Sequence, residues 1–202
     1  MRFRERTGDS VLYLESSERR TGDRLELRSE SSDGEVHTVV VDPESLESLS
    51  WHHAAPEADT EYTARRNGRS ITVVGRSNGT PVNETFYLGD EDPWIQSIER
   101  SLRPFVLSER NRVQFWTIQP GDFQVRKLLA VRRGRGRIDV DHEPTDVFEV
   151  RVSLAGIGSI FWSATYWFRV SDGQFVRSEA VRGWPGTPKT IVEKLATGTP
   201  RL

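Results

Sequence analysis

The stretch Tyr62-Thr63-Ala64-Arg65-Arg66-Asn67-Gly68-Arg69-Ser70-Ile71-Thr72-Val73-Val74 decides the fold class. Apolar Tyr62 and Ala64 alternate with polar neighbours up to Asn67-Gly68, and Ile71 and Val73 resume the alternation beyond it. Asn-Gly is the strongest short-range hairpin signal, because both residues tolerate the positive φ that a tight turn demands. The same unit repeats at once: Asn78-Gly79 turns the chain, and Val82, Phe86 and Leu88 follow. Working outward, Thr21-Gly22-Asp23, Ser32-Asp33-Gly34 and Asp42-Pro43 separate Val11–Leu14, Leu25–Leu27 and Val36–Val41. Leu46, Leu49 and Trp51 give a further short strand. Alternation broken by turn residues at such intervals is the all-β signature.

One segment departs from it. Asp92 suits an N-cap and Pro93 a first helical position, where its missing N–H costs nothing. Trp94, Ile95, Ile98 and Leu102 follow at helical spacing, and Pro104 stops or kinks the run. The pattern predicts one amphipathic helix over 93–103. Strands then resume through Val113–Ile118, turn at Pro120-Gly121-Asp122, and continue through Phe123, Val125, Leu129 and Val131, with Gly134 and Gly136 marking a turn. Phe148–Leu154, Ile160–Val170, Phe175–Val181 and Ile191–Leu195 complete the set, with a loop at Trp184–Pro188 and a frayed tail from Thr197 to Leu202. The expectation is a single β-rich domain over 1–202: strands over 1–90, the helix, then strands over 111–196. It is an antiparallel meander forming a curved sheet or open barrel.

Composition removes several function classes. The chain has 202 residues and no Cys, which excludes disulfides, Cys-ligated metals and a Cys nucleophile. A chain of this length buries roughly 70% of its unfolded surface, so a core needs no such staple. The formal charge is −2, giving no bulk attraction to nucleic acid. Of 28 basic residues only Lys127, Lys189 and Lys194 are lysine; the arginines are spread along the chain and read as a compositional bias. No apolar run reaches the ~18 residues of a membrane span. Met1 to Asp9 is charged and lacks a signal peptide's apolar stretch, so the cytoplasm is expected if Met1 is the native start.

No constellation carries catalysis or metal binding. His52-His53 point to opposite faces of one strand, and His37 and His142 add no ligand spacing. Asp139, Asp141, His142, Glu143 and Asp146 read as a solvated turn rather than a calcium loop. Arg132-Arg133-Gly134-Arg135-Gly136-Arg137 reads as a solvated hairpin offset by that acidic cluster, not a phosphate or RNA grip. Gly156-Ile157-Gly158-Ser159 lacks the strand-to-helix context of a nucleophile elbow. No cofactor fingerprint occurs, and oligomeric state is not encoded in any feature.

The aromatics stand out. Phe115, Trp116, Phe161, Trp162, Tyr166, Trp167 and Phe168 crowd two strands, with Trp94 and Phe105 near the helix. From Ile160 to Val170 one face carries Trp162, Tyr166 and Phe168 and the other Phe161 and Trp167. Two readings follow: a large core, or an apolar cavity lined by Trp94, Phe105, Trp116, Trp162, Tyr166, Trp167 and Phe168 that takes a lipid-like ligand.

Phe161-Trp162 through Tyr166-Trp167-Phe168, Ser171-Asp172-Gly173, Gly186-Thr187-Pro188 before the final strand, and Val41-Asp42-Pro43-Glu44-Ser45-Leu46 together resemble a bacterial envelope domain family of unknown function. That family is distantly similar to the lipoprotein-localisation carriers, half-barrels that shelter acyl chains. The resemblance implies an antiparallel open barrel, no catalytic residues and a periplasmic or envelope location. The leading expectation is a non-enzymatic module for a lipid-like ligand or an envelope partner. The alternatives are an interaction domain with a filled core, and an enzyme of unrecognised type drawing on Glu84, Asp90, Asp92, Arg103 and Arg169.

Overall fold

The computed structural model describes residues 1–140, 142–156, 162–181 and 188–196. Asp141, Ile157 to Phe161, the loop residues Trp184 to Thr187 and the tail from Thr197 lie outside the described residues. The strands are β1 (Arg2–Thr7), β2 (Ser10–Thr21), β3 (Arg24–Ser31), β4 (Val36–Val41), β5 (Ser48–Ala55), β6 (Thr60–Asn67), β7 (Ser70–Ser77) and β8 (Thr80–Tyr87). Two short helical turns follow, α1 (Ile98–Ser101) and α2 (Arg103–Leu107). Then come β9 (Arg112–Ile118), β10 (Val125–Val140), β11 (Glu143–Leu154), β12 (Ser163–Arg169), β13 (Phe175–Val181) and β14 (Lys189–Lys194).

All pair antiparallel in one 14-stranded curved sheet, ordered β8-β7-β6-β5-β4-β3-β2-β1-β14-β13-β12-β11-β10-β9. Neighbouring strands are consecutive in the chain except where β1 meets β14, so hairpin connections generate nearly the whole order. The Asn67-Gly68 and Asn78-Gly79 turns form as expected, with Gly68 and Gly79 at φ 57 and 74. β8 and β9 remain unpaired with each other; the sheet is not closed into a barrel.

The helix lies later than the sequence pattern suggests. Pro93 to Ile95 does not coil, because its backbone is engaged elsewhere. Trp116 N–H donates to Pro93 O and Ile95 N–H to Trp116 O, both at 2.8 Å, forming a parallel bridge with β9. Ser48 N–H donates to Trp94 O at 2.8 Å. Asp92 pairs with Lys127 at 2.8 Å instead of capping a helix. Helical backbone therefore starts only at Ile98, and it passes through Pro104, which occupies the first turn of α2 where a missing N–H is tolerated. So short a helix is marginal alone. Burial of Leu102, Phe105 and Val106 stabilises it, each by roughly 1.5–3 kcal/mol before ordering costs. Arg100 to Glu18 and Ser16, and Arg103 Nε to Asp172 O at 2.9 Å, tie it to the sheet.

The face under the helix, here the inner face, holds two apolar clusters. One packs Phe3, Phe115, Phe148, Tyr166, Phe168 and Phe175 beneath Leu102, Phe105 and Val106. The other packs Trp51, Tyr62, Ile71, Val73 and Phe123 around Trp94. A third, Val140, Val147 and Val176 with Ile138 and Trp167, lies on the outer face. Gly134 and Gly136 do not turn the chain as expected. They lie inside the 16-residue β10, and the hairpin turn falls beyond Val140. On that strand Leu128 and Ala130, rather than Leu129 and Val131, join the inner cluster.

Gly75 takes φ 148, and a Cβ there would stand 2.3 Å from Glu61 O and 2.5 Å from Tyr62 Cα. Gly134 has open space and no positive φ. Gly75→Ala is expected to lose about 1–3 kcal/mol in urea unfolding, and Gly134→Ala to stay near the parent.

Asp90 accepts from Trp116 Nε1 at 2.9 Å and pairs with Lys127. Lys127, with Trp116 second, lowers its carboxyl from the ordinary 3.8 to about 2. A depressed carboxylate stabilises the fold above its unfolded value and loses that contribution as pH falls through the folded value. Asp90→Asn should therefore melt below the parent at neutral pH, with the gap closing as pH drops from about 4 towards 2 in parallel melting curves.

Candidate functional site

The helix covers the inner face without sealing it. A cleft of about 500 Å³ opens on one side, between the end of α2 and the β10–β11 hairpin; it is lined by Val106, Leu107, Arg132, Arg133, Arg135, Phe148 and Val170. A second of about 290 Å³ opens on the other side, lined by Phe3, Leu27, Glu44, Arg103, Leu107 and Phe175 among others. Leu107 lines both and is 51% exposed, an apolar side chain left in water at the junction of two grooves.

The seven aromatics expected to bind ligand separate into three places. Phe105, Tyr166 and Phe168 come together under the helix, with Trp162 packed at the edge of the same cluster. Trp94 and Trp116 belong to the neighbouring cluster, where Trp94 is fully buried and donates through Nε1 to Gln96 Oε1 at 3.0 Å. Trp167 turns to the outer face, beneath the Arg177 guanidinium at 5.8 Å. Of the polar groups weighed for catalysis, Arg103 alone lines either cleft. Asp90 and Asp92 share Lys127. Arg169 grips Asp172 at 2.9 and 2.6 Å, and Glu84 stands exposed on edge strand β8. These groups do not converge.

A histidine cluster escaped the sequence reading. His37 on β4 and His53 on β5 are direct register partners, with rings stacked 4.5 Å apart. Glu35, in the preceding turn, takes both: His53 Nε2 at 2.7 Å and His37 Nε2 at 3.0 Å on one carboxylate oxygen. These bonds, His37 first, hold the Glu35 carboxyl well below the usual carboxylate range. Tyr62 closes the group edge-on to His53 at 5.0 Å; burial, with the Glu35 charge second, pushes its phenol above the usual range.

Two imidazoles and a carboxylate within 4.8 Å are metal-ligand types in reach of one point. The hydrogen bonds decide against coordination in this arrangement. Trp51 Nε1, which can only donate, gives its proton to His37 Nδ1 at 3.2 Å. His37 is thereby fixed with its own proton on Nε2, pointing at Glu35. Coordination through Nε2 would move that proton to Nδ1, facing the Trp51 N–H, whereas ligating histidines need an acceptor there. The cluster fits a charge-assisted clamp closing the β3–β4–β5 end of the sheet.

No family model matches the chain, and no curated protein matches it by sequence. Among solved structures it is similar to a β-barrel-like protein of a domain of unknown function, DUF1849, from Brucella abortus. The TM-score is 0.61 at 7% identity, covering 95% of this chain and 93% of that one. The hypothetical lipoprotein YmcC from Escherichia coli gives a TM-score of 0.46 at 12% identity, covering 98% of this chain and 85% of that one, and nothing below rests on it. At such identity the first likeness is one of fold: a β-barrel-like sheet shared over nearly the whole length.

Proposed function

We propose that this chain is a non-enzymatic binding module that holds a lipid-like ligand in the clefts beside its helix. The observation that carries the reading is Leu107, half exposed between two grooves whose floors are Phe148 on one side and Phe3 and Phe175 on the other. An alkyl chain laid along Leu107 and Phe148 would remove apolar surface from water at roughly 25 cal/mol per Å² without first unfolding the core. Phe105, Tyr166 and Phe168 support that floor from beneath the helix rather than line an open cavity. The envelope location implied by the sequence resemblance belongs to the same proposal. Among the described residues no helix is long and apolar enough to cross a membrane.

A second reading, an interaction domain with a filled core, is favoured by the complete burial of Trp94, Leu102, Phe115 and Phe168. Native mass spectrometry separates the two. Under the binding reading, single-chain lipids add to the protein one to one and saturably. Leu107→Glu, which puts a charge into both grooves at an already exposed position, should weaken that adduct about tenfold or more while leaving the melting temperature nearly unchanged. Absence of any saturable adduct would hand the molecule to the filled-core reading.

A further inference from the structure

We propose that the larger cleft selects an anionic headgroup, a carboxylate or phosphate held by Arg133 and Arg135 above the Phe148 ring. The inference rests on the binding reading above and assigns the ligand's charge and polarity within it.

The register of β10 against β11 builds the site. Up to Arg132↔Val150 the pairing is regular, and it then jumps to Gly134↔Glu149 and Arg135↔Phe148. The bulge leaves Arg133 as the extra residue and restarts the alternation one position later. In an unbroken strand Gly134 and Gly136 would follow Arg132 on the inner face and Arg135 would point outward. With the bulge, Arg135 stands opposite Phe148 on the inner face. The guanidinium carbons of Arg132 and Arg135 lie 5.3 and 5.1 Å from the Phe148 ring centroid, a cation–π arrangement on both.

The arginines of this segment divide by what they already hold. Arg132 donates to Val106 O at 2.9 Å and Ser108 O at 2.8 Å, capping the end of α2. Arg137 is paired with Asp146 at 2.8 Å. Arg133 and Arg135 both line the cleft, and among the described residues neither has a carboxylate within ion-pair distance. Glu109 is the one acidic residue lining this cleft, against three guanidinium groups. The smaller cleft shows no such excess, with Glu18, Glu44 and Glu99 against Arg100, Arg103 and the Met1 ammonium. An amphiphile with a negative head is therefore oriented, head at the β10 bulge and chain along Leu107. Guanidinium groups suit carboxylate and phosphate oxygens because they present paired donors in a fixed plane.

The test is calorimetric titration, below the micellar concentration, with lysophosphatidylglycerol, lysophosphatidylcholine of the same acyl chain, and inorganic phosphate. The anionic lipid should bind about tenfold tighter than the zwitterionic one. In an Arg133→Gln, Arg135→Gln variant that preference should vanish while lysophosphatidylcholine affinity is kept; Arg137→Gln should leave both unchanged. Equal affinity for the two lipids, or a preference that survives the double variant, would overturn the headgroup assignment and leave the binding reading standing. Failure of both lipids to bind would overturn the two together. Inorganic phosphate binding as tightly as the anionic lipid would overturn the amphiphile and leave a free-anion site.

Discussion

The backbone bridge between Trp116 and the segment Pro93–Ile95 is the constraint from which the working parts of this molecule follow. A sheet of 14 antiparallel strands ordered by hairpins has two free edges, β8 and β9. The chain leaving β8 crosses to β9, exchanges two hydrogen bonds with Trp116, and on its other side accepts from Ser48 at the start of β5. Gln96 strengthens the crossing by donating to Ile118 O and accepting from Ile118 N–H. One short extended segment thus ties the last strand of the sheet order to the β5 region across the inner face. It also buries Trp94 at the centre of one cluster and delivers Ile95 to the other. The helix, beginning three residues on, has nowhere to go but across the inner face, and the two clefts are the spaces its short length leaves uncovered.

The same segment shows where sequence reading reaches its limit. Asp92, Pro93 and Trp94 are chemically good residues for a helix start, and the apolar spacing from Trp94 to Leu102 is helical. Local preference was legible; the competing demand of the β9 edge was not, because it comes from a strand some twenty positions downstream. Hairpins were legible for the converse reason: Asn67-Gly68 and Asn78-Gly79 specify their turns locally, and the strands they join need no distant partner. The helix was displaced without being lost, since Leu102, Phe105 and Val106 still present one apolar face when the start moves to Ile98.

Both features that sequence reading missed at the candidate sites trace to single-residue bulges. Counting back from Val41↔Ser48, a regular ladder would set His52 against His37. The shift between Val40 and Val41 instead sets His53 there, on the buried face with Trp51, and creates the cluster with Glu35. On β10 the shift after Arg132 turns Arg135 inward and sends Ile138 and Val140 to the outer cluster. A bulge exchanges the faces of every residue beyond it. Alternation read from sequence therefore holds up to the bulge and inverts after it. The two glycines that read as a turn in Arg132–Arg137 are instead what lets a 16-residue strand carry that inversion, since Gly134 and Gly136 leave the outer face open there.

The arginine-rich composition takes on structure in this light. Arg100, Arg103 and Arg132 fasten the helix, Arg100 to the Glu18 carboxylate, Arg103 to the Asp172 carbonyl, and Arg132 to the Val106 and Ser108 carbonyls. Arg169 and Arg177 close side-chain networks with Asp172, Glu179 and Glu193. A compositional bias explains why arginine is available throughout the chain, but it does not explain which arginines stand without an acid. Arg6, Arg24, Arg65 and Arg112 also stand without a carboxylate among the described residues, and what sets Arg133 and Arg135 apart is their place at the β10 bulge, beside the larger cleft and the half-exposed Leu107. Apolar surface and unneutralised charge coincide there because one inserted residue and one short helix end at the same place.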